Sequence, residues 1–196
     1  MNNHEEYEQC SFSAPAETLR LAPEELASIW FRVQTSRLIL RRLQPTDGPA
    51  MFRIHGDPQT NQYNPAGPHP DLATSEEMLR DCLQYWNDFG FGYWAVTLVQ
   101  QEAVLGFGGV EHRFWRGQEV LNLYYRFTPG AWGQGYATEL AQTAVTLARK
   151  HLPQWPVVVR TRTKNLASQQ VALRAGLLRR SDLEGEHVVF VAGSLF

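Results

Sequence analysis

The hydrophobic and polar positions of the chain change character near residue 35. Before that point MNNHEEYEQCSFSAPAET shows little periodicity and reads as mobile, while PEELASIWFRV reads as a short helix opened by Pro23 and two acids. From TSRLILRRL onward the pattern is denser. Leu38, Leu40 and Arg42 alternate with Ile39, Arg41 and Leu43, which predicts a strand covered on both faces. PTDGPAMFRIHG follows as a short helix, and Asp57 to Asp71 form a loop rich in proline and turn formers. The run SEEMLRDCLQYWNDF opens on a capping serine, then sets Met78, Leu79, Cys82, Leu83 and Trp86 at helical spacing.

Three strand-like runs come next, YWAVTLV, VLGFGGVEH and EVLNLYYRF, the last two separated by the loop RFWRG. A glycine-rich turn then leads into a helix ending near Lys150, with Ala137, Leu140, Ala141, Ala144 and Ala148 as its buried stripe. VVVRTRT is another strand, NLASQQVALRAG a helix closed by Gly176, and two short strands flank EGEH. A strand meander feeding a βαβ-like unit with two closing strands predicts a mixed α/β (α+β) domain over residues 35–196. Residues 1–34 are expected to be an extension.

Composition narrows the function classes. A formal charge of −2 argues against a nucleic-acid partner, which asks for a basic surface. Cys10 and Cys82 are too few for a disulfide framework or a cysteine-based metal site and suit a reducing cytoplasm. No apolar run reaches membrane-spanning length, and the acidic amino terminus is unlike a signal peptide, so no membrane association is expected. The six histidines show no metal-ligand spacing and read as surface or loop residues, and Trp86, Trp94 and Trp115 as core or groove lining.

The candidate chemistry lies in FTPGAWGQGYATELA, residues 127–141. Gly130, Gly133 and Gly135 cost backbone entropy just ahead of a helix. A Walker loop needs Lys and then Ser or Thr after its last glycine, and this chain has Tyr136 and Ala137. The dinucleotide pattern needs a third glycine or alanine where Thr138 stands, and it follows a parallel strand rather than a meander. What survives is general: successive N–H groups at a helix start make an anion site, and missing side chains admit a pyrophosphate. A plain glycine-rich connection is the competing reading.

WGQGYATE after a strand ending in YYRFTP resembles the acetyl-CoA loop of the GNAT acyltransferase superfamily. Trp132 stands where the general pattern has Arg or Gln, while Gly135 and Ala137 fall on pattern. This version is similar to the RimJ/RimL type, the ribosomal-protein N-terminal alanine acetyltransferases. Asn165, Ser168 and Gly176 in NLASQQVALRAGL fit a second motif, and TSRLILRRLQPTD is similar to that branch's first strand, so the resemblance spans about residues 35–192.

The resemblance implies the GNAT fold, a mostly antiparallel mixed sheet flanked by helices, with splayed central strands. It implies acetyl-CoA as cosubstrate, with pyrophosphate on Trp132, Gly133, Gln134, Gly135, Tyr136, Ala137 and Thr138. A bulge near Tyr125, Arg126 and Phe127 would offer backbone groups to the pantetheine arm, with Asn165 nearby. Many superfamily members protonate the leaving sulfur with a tyrosine at the position of Ala172; in this branch the serine at Ser168 is the donor. Glu111, read as an exposed strand end, is the candidate base, because the branch's glutamate is Asn122 here. The implied acceptor is a protein N-terminal amine or a small-molecule amine, attacked directly in a ternary complex. A catalytically silent acyl-CoA-binding or regulatory module, a non-enzymatic interaction protein, and a homodimer all remain open.

Overall fold

A computed structural model describes residues 20–194. The stretch expected to be mobile therefore lies, up to residue 19, outside the described residues, as does Cys10. The elements run α1 (Pro23–Trp30), β1 (Arg32–Gln34), β2 (Leu38–Arg42), α2 (Gly48–His55), α3 (Leu72–Phe89), β3 (Tyr93–Leu98), β4 (Gly106–Trp115) and β5 (Gln118–Phe127). Then come α4 (Tyr136–His151), β6 (Val157–Arg162), α5 (Leu166–Arg174), β7 (Leu178–Arg179) and β8 (His187–Ala192). The strands form a single sheet in the order β1-β2-β3-β4-β5-β6-β8-β7. All neighbours are antiparallel except β5 and β6, which α4 connects.

Side-chain alternation gives the sheet two covered faces. Phe107 and Tyr124 look toward His55 at the end of α2. One residue along, a Cβ at Gly108 would stand 3.2 Å from Leu140 of α4, and Tyr125 reaches Ser168 of α5. The core between them holds Trp30, Trp86, Trp94, Phe107, Leu140 and Phe190. Trp115, by contrast, is only partly buried, against a small cluster around Val120, Val158 and Val189.

Several boundaries differ from the sequence reading for identifiable reasons. α1 stops at Trp30, and Arg32–Gln34 pairs with β2 instead of continuing the helix. Trp30 is fully buried and stacks on Trp94 at 4.9 Å, so this segment packs on the same core as the rest. α3 begins three residues before Ser75, because Asp71 accepts from the Thr74 N–H and takes the capping role. Ser75 is buried inside the helix and bonds His69. RFWRG is not a loop: β4 and β5 extend to a tight turn at Arg116 and Gly117, both at positive φ.

Candidate functional site

The site grows from one strand edge. β5 pairs with β4 through ten consecutive positions, Trp115↔Gln118 to Gly106↔Phe127, with no extra residue on either strand. The bulge implied by the resemblance is therefore absent from this pairing. On its other side β5 pairs with β6 only at Leu121↔Val157 and Asn122↔Val158, while β6 stays paired with β8 to Arg162. The two central strands part at Asn122 without a bulge. Twist carries β6 off with β8 instead.

Backbone alternation says which groups face the gap. Thr128 N–H donates to Leu105 O on the β4 side, and Leu121 N–H donates to Pro156 O on the β6 side. The N–H and C=O of Tyr125 and Phe127 therefore point into the opening, while those of Arg126 are turned to β4. The Phe127 carbonyl is already taken by the Trp132 indole N–H at 2.8 Å. Of the three residues expected to offer backbone to an arm, Tyr125 offers both groups and Phe127 only its N–H. Arg126 instead uses its side chain, on the Asn61 Oδ1.

At the end of β5 the chain turns through Gly133 at φ 74° and Gly135 at φ 79°, conformations that favour glycine. A Cβ at Gly133 would meet nothing within 4 Å, so it is the backbone angle, not crowding, that calls for glycine. Gly135 is the N-cap of α4 and supplies no side-chain cap, and the first intrahelical bond is Glu139 N–H to Gly135 O at 3.1 Å. The N–H groups of Tyr136, Ala137 and Thr138 thus lack intrahelical acceptors at the positive end of a 16-residue helix. Unpaired N–H groups at the positive end of a helix form the kind of cradle that can receive an anion.

A second feature clamps this cradle from far along the chain. Glu139 Oε1 accepts from Thr35 Oγ1 (2.6 Å), Ser36 Oγ (2.9 Å) and Arg37 N–H (3.0 Å), and Oε2 accepts from Arg37 Nε at 2.7 Å. Arg37 also donates to Gln134 O at 2.8 Å and lies 4.9 Å from the centre of the Tyr136 ring. Burial works against charge on Glu139, but the bonds from Thr35, Arg37 and Ser36 outweigh it and hold the carboxyl below its ordinary value. Arg37 lies 102 positions from Glu139 in the chain, so no local pattern in the sequence marks the pair.

Ser168 stands in the first turn of α5, where Asn165 Oδ1 caps the helix by accepting from Ser168 N–H at 3.1 Å. Its hydroxyl is 2.9 Å from the Tyr125 phenol, which also donates to Ser168 O at 3.0 Å. A phenol has one proton; when that goes to the carbonyl, the serine is the donor in the second contact. Burial, partly opposed by the bond to Ser168, pushes Tyr125 up to about 12. Ala172 is fully buried.

Glu111 is not at an exposed strand end. β4 continues past it, and Glu111 is 4% exposed, paired with Arg113 at 2.7 Å. Burial raises its pKa against the pull of Arg113. His112 is buried too, pointing the other way against Trp155. His55, expected at the surface, is 2% exposed: Nδ1–H donates to Met51 O at 3.1 Å, which leaves Nε2 to accept from the Tyr124 hydroxyl at 2.8 Å. No group of three or more His, Cys, Asp or Glu able to hold a metal occurs among the described residues. No described helix is long and apolar enough to cross a membrane.

Residues 37–178 match the family model described as "Acetyltransferase (GNAT) domain". The chain belongs to the GNAT acetyltransferase family. It is an acyltransferase, and the family's reaction is acetyl transfer from acetyl-CoA. The fold is similar to that of an acetyltransferase from Agrobacterium tumefaciens str. C58, at 24% identity and TM-score 0.71, covering 96% of this chain and 99% of that one. It is also similar to the spermidine N-acetyltransferase from Vibrio cholerae in complex with CoA and spermine (15%, 0.63, 80% and 94%). A third is the ribosomal-protein-S5-alanine acetyltransferase from Vibrio fischeri (11%, 0.65, 82% and 95%). At these identities the likeness is one of fold. In this GNAT domain the parted strands, the glycine turn and the first turn of α5 converge on one opening.

Proposed function

We propose that this chain transfers the acetyl group of acetyl-CoA to a primary amine, either a protein N-terminal amine or a small-molecule amine. The RimJ/RimL-like motifs WGQGYATE and NLASQQVALRAGL support placing it in that branch. The observation that carries the reading is the unpaired edge of β5 at Tyr125 and Phe127, running directly into the uncapped N-terminus of α4. One edge can receive an amide-bearing arm as an added strand, and the other end can receive its pyrophosphate.

When bound, the thioester supplies an activated acetyl group. A neutral amine attacks its carbonyl directly in a ternary complex, the C–N bond forms as the C–S bond breaks, and the proton lost by nitrogen passes to solvent while the departing thiolate takes one up to leave as the free thiol. Tyr125 N–H faces the gap and would polarise the carbonyl. Ser168 Oγ–H, turning from Tyr125, would hydrogen-bond the departing sulfur. A thiol pKa of about 8.5 makes one such bond sufficient help. Glu111, ion-paired under α3, is left as a positioning residue that fixes Arg113 rather than as a base touching the acceptor. An α-amine, titrating at about 7.7–8.0, needs little assistance to be neutral.

Gly135→Glu tests the reading. A side chain at φ 79° strains the turn, its Cβ would stand 3.5 Å from the Arg37 guanidinium that braces the loop, and it adds negative charge where the pyrophosphate is proposed to lie. The variant is expected to keep its circular dichroism and lose most CoA affinity in a titration. Unchanged affinity in the folded variant removes the pyrophosphate assignment. Thiol release with an amine panel separates an enzyme from a silent CoA-binding module.

A further inference from the structure

Successive residues near the end of β5 turn to different sides of the molecule. Tyr125 and Phe127 direct their N–H groups to the gap beside β6, while Arg126, between them, turns its backbone to β4 and sends its side chain to the Oδ1 of Asn61. Asn61 belongs to the long loop between α2 and α3 and is 4% exposed. Its amide is used in full. Nδ2 donates to His55 O at 2.7 Å and to Asp57 O at 2.8 Å, and Oδ1 accepts from Arg126 and, at 2.9 Å, from Asn64 Nδ2. Backbone bonds close the same stretch, from Asn61 N–H to Pro58 O, Asn64 N–H to Asn61 O and Gly67 N–H to Asn64 O. One buried side chain thus gathers the turns of the loop and joins them to β5.

The residues that follow Asn61 are one wall of a cleft of about 390 Å³. Residues 62–65 of the loop stand on one side, and Arg162, Thr163 and Lys164 at the end of β6, with Glu186, on the other. Each wall leads back to a group proposed above to touch the thioester. Lys164 is followed by Asn165, the cap of α5, and so by Ser168 in the first turn; the loop wall leads through Asn61 and Arg126 to Tyr125. Neither Asn61 nor Arg126 lines the cleft; they hold the wall that does.

We propose that Asn61, through its bond with Arg126, is a positioning residue for the amine acceptor, fixing the loop wall of this cleft relative to the strand that holds the thioester. The proposal rests on the acetyl-transfer reading above and assigns the amine's approach to this cleft. Alignment of nitrogen and carbonyl is what such a tether protects, because a reactant displaced by about 1 Å can lose on the order of 10²-fold in rate. Cutting the tether leaves the β5 edge and the N-terminus of α4 as they are. The loss therefore falls on the amine and not on the cofactor.

The test follows thiol release from acetyl-CoA by the full chain, with a peptide bearing a free terminal alanine and with spermidine, and measures CoA affinity by calorimetry. Arg126→Gln breaks the tether and leaves the Asn61 bonds to His55 and Asp57 in place; Asn61→Ala removes both. For whichever amine the wild type turns over faster, each variant is expected to lower kcat/KM by about tenfold or more, with the CoA dissociation constant within about twofold. Arg126→Lys is expected to recover part of the loss, since an ammonium still reaches one amide oxygen. The double variant is expected to be no worse than Asn61→Ala alone, because both changes cut one connection. Circular dichroism checks folding, and if Asn61→Ala does not fold, the two Arg126 variants decide the matter. An unchanged kcat/KM in folded Arg126→Gln overturns the proposal, and so does an equal loss of CoA affinity. Brisk wild-type release with unmoved variants overturns this inference alone. Wild-type silence with both amines overturns acetyl transfer to these amines, and this inference with it.

Discussion

The Ser168 hydroxyl lies between two roles that one substitution separates. In the structure it is engaged by Tyr125 at 2.9 Å, on a helix turn capped by Asn165, and both contacts are structural. Donation to a departing sulfur matters only as negative charge develops, so it should act on turnover rather than on ground-state binding. Ser168→Ala is expected to leave the CoA dissociation constant within a few-fold and lower kcat by roughly 10²-fold or somewhat less, the usual range for general-acid help. Stopped-flow and steady-state rates decide it. Full kcat with chemistry shown to be rate-limiting makes Ser168 a residue that merely anchors Tyr125.

At the scale of elements, the N-terminus of α4 depends on a segment about a hundred positions earlier. Arg37 bonds both the Gln134 carbonyl inside the loop and Glu139 inside the helix, so one guanidinium ties the two together. Without it the loop must be ordered by the ligand, and ordering is charged against affinity. Arg37→Ala is expected to raise the CoA dissociation constant on the order of tenfold, with a small loss of melting temperature because the pair is half exposed. Arg37→Lys should recover only part, since an ammonium cannot reproduce a planar fork reaching two acceptors. Calorimetric titration of CoA into the three proteins checks this; equal affinities would mean the glycine turn holds its own shape.

For the whole molecule, the buried imidazole of His55 links stability to pH. Burial first, then Arg126, hold it at about 3 in the folded state against 6.5 when free. Between those values the unfolded chain binds a proton that the folded one refuses, so stability is complete above pH 6.5 and falls as pH drops toward 3. The maximum size is on the order of 5 kcal/mol at about 1.4 kcal/mol per pH unit. Urea unfolding from pH 7.5 down to about 4 should show that loss, and His55→Gln should flatten the slope while costing stability at neutral pH through the bond to Tyr124. An unchanged slope in the variant would assign the acid sensitivity to other groups.

How much was legible differs by the range of the interaction. Residues adjacent in the chain determined the glycine turn at 133 and 135, the Asn165 cap and the helical stripe of α4, because φ angles, capping bonds and periodicity act over a few positions. The resemblance carried by those motifs extended to the parallel β5–β6 pair and its parting. Only the tertiary structure decided that the strands part without a bulge, that Trp132 occupies the Phe127 carbonyl, and that Arg37 clamps the loop. It also moved Glu111 and His55 from the surface into the interior. A strand's polar residue is exposed or buried according to what covers that face, and α2 and α3, drawn from earlier in the chain, cover this one.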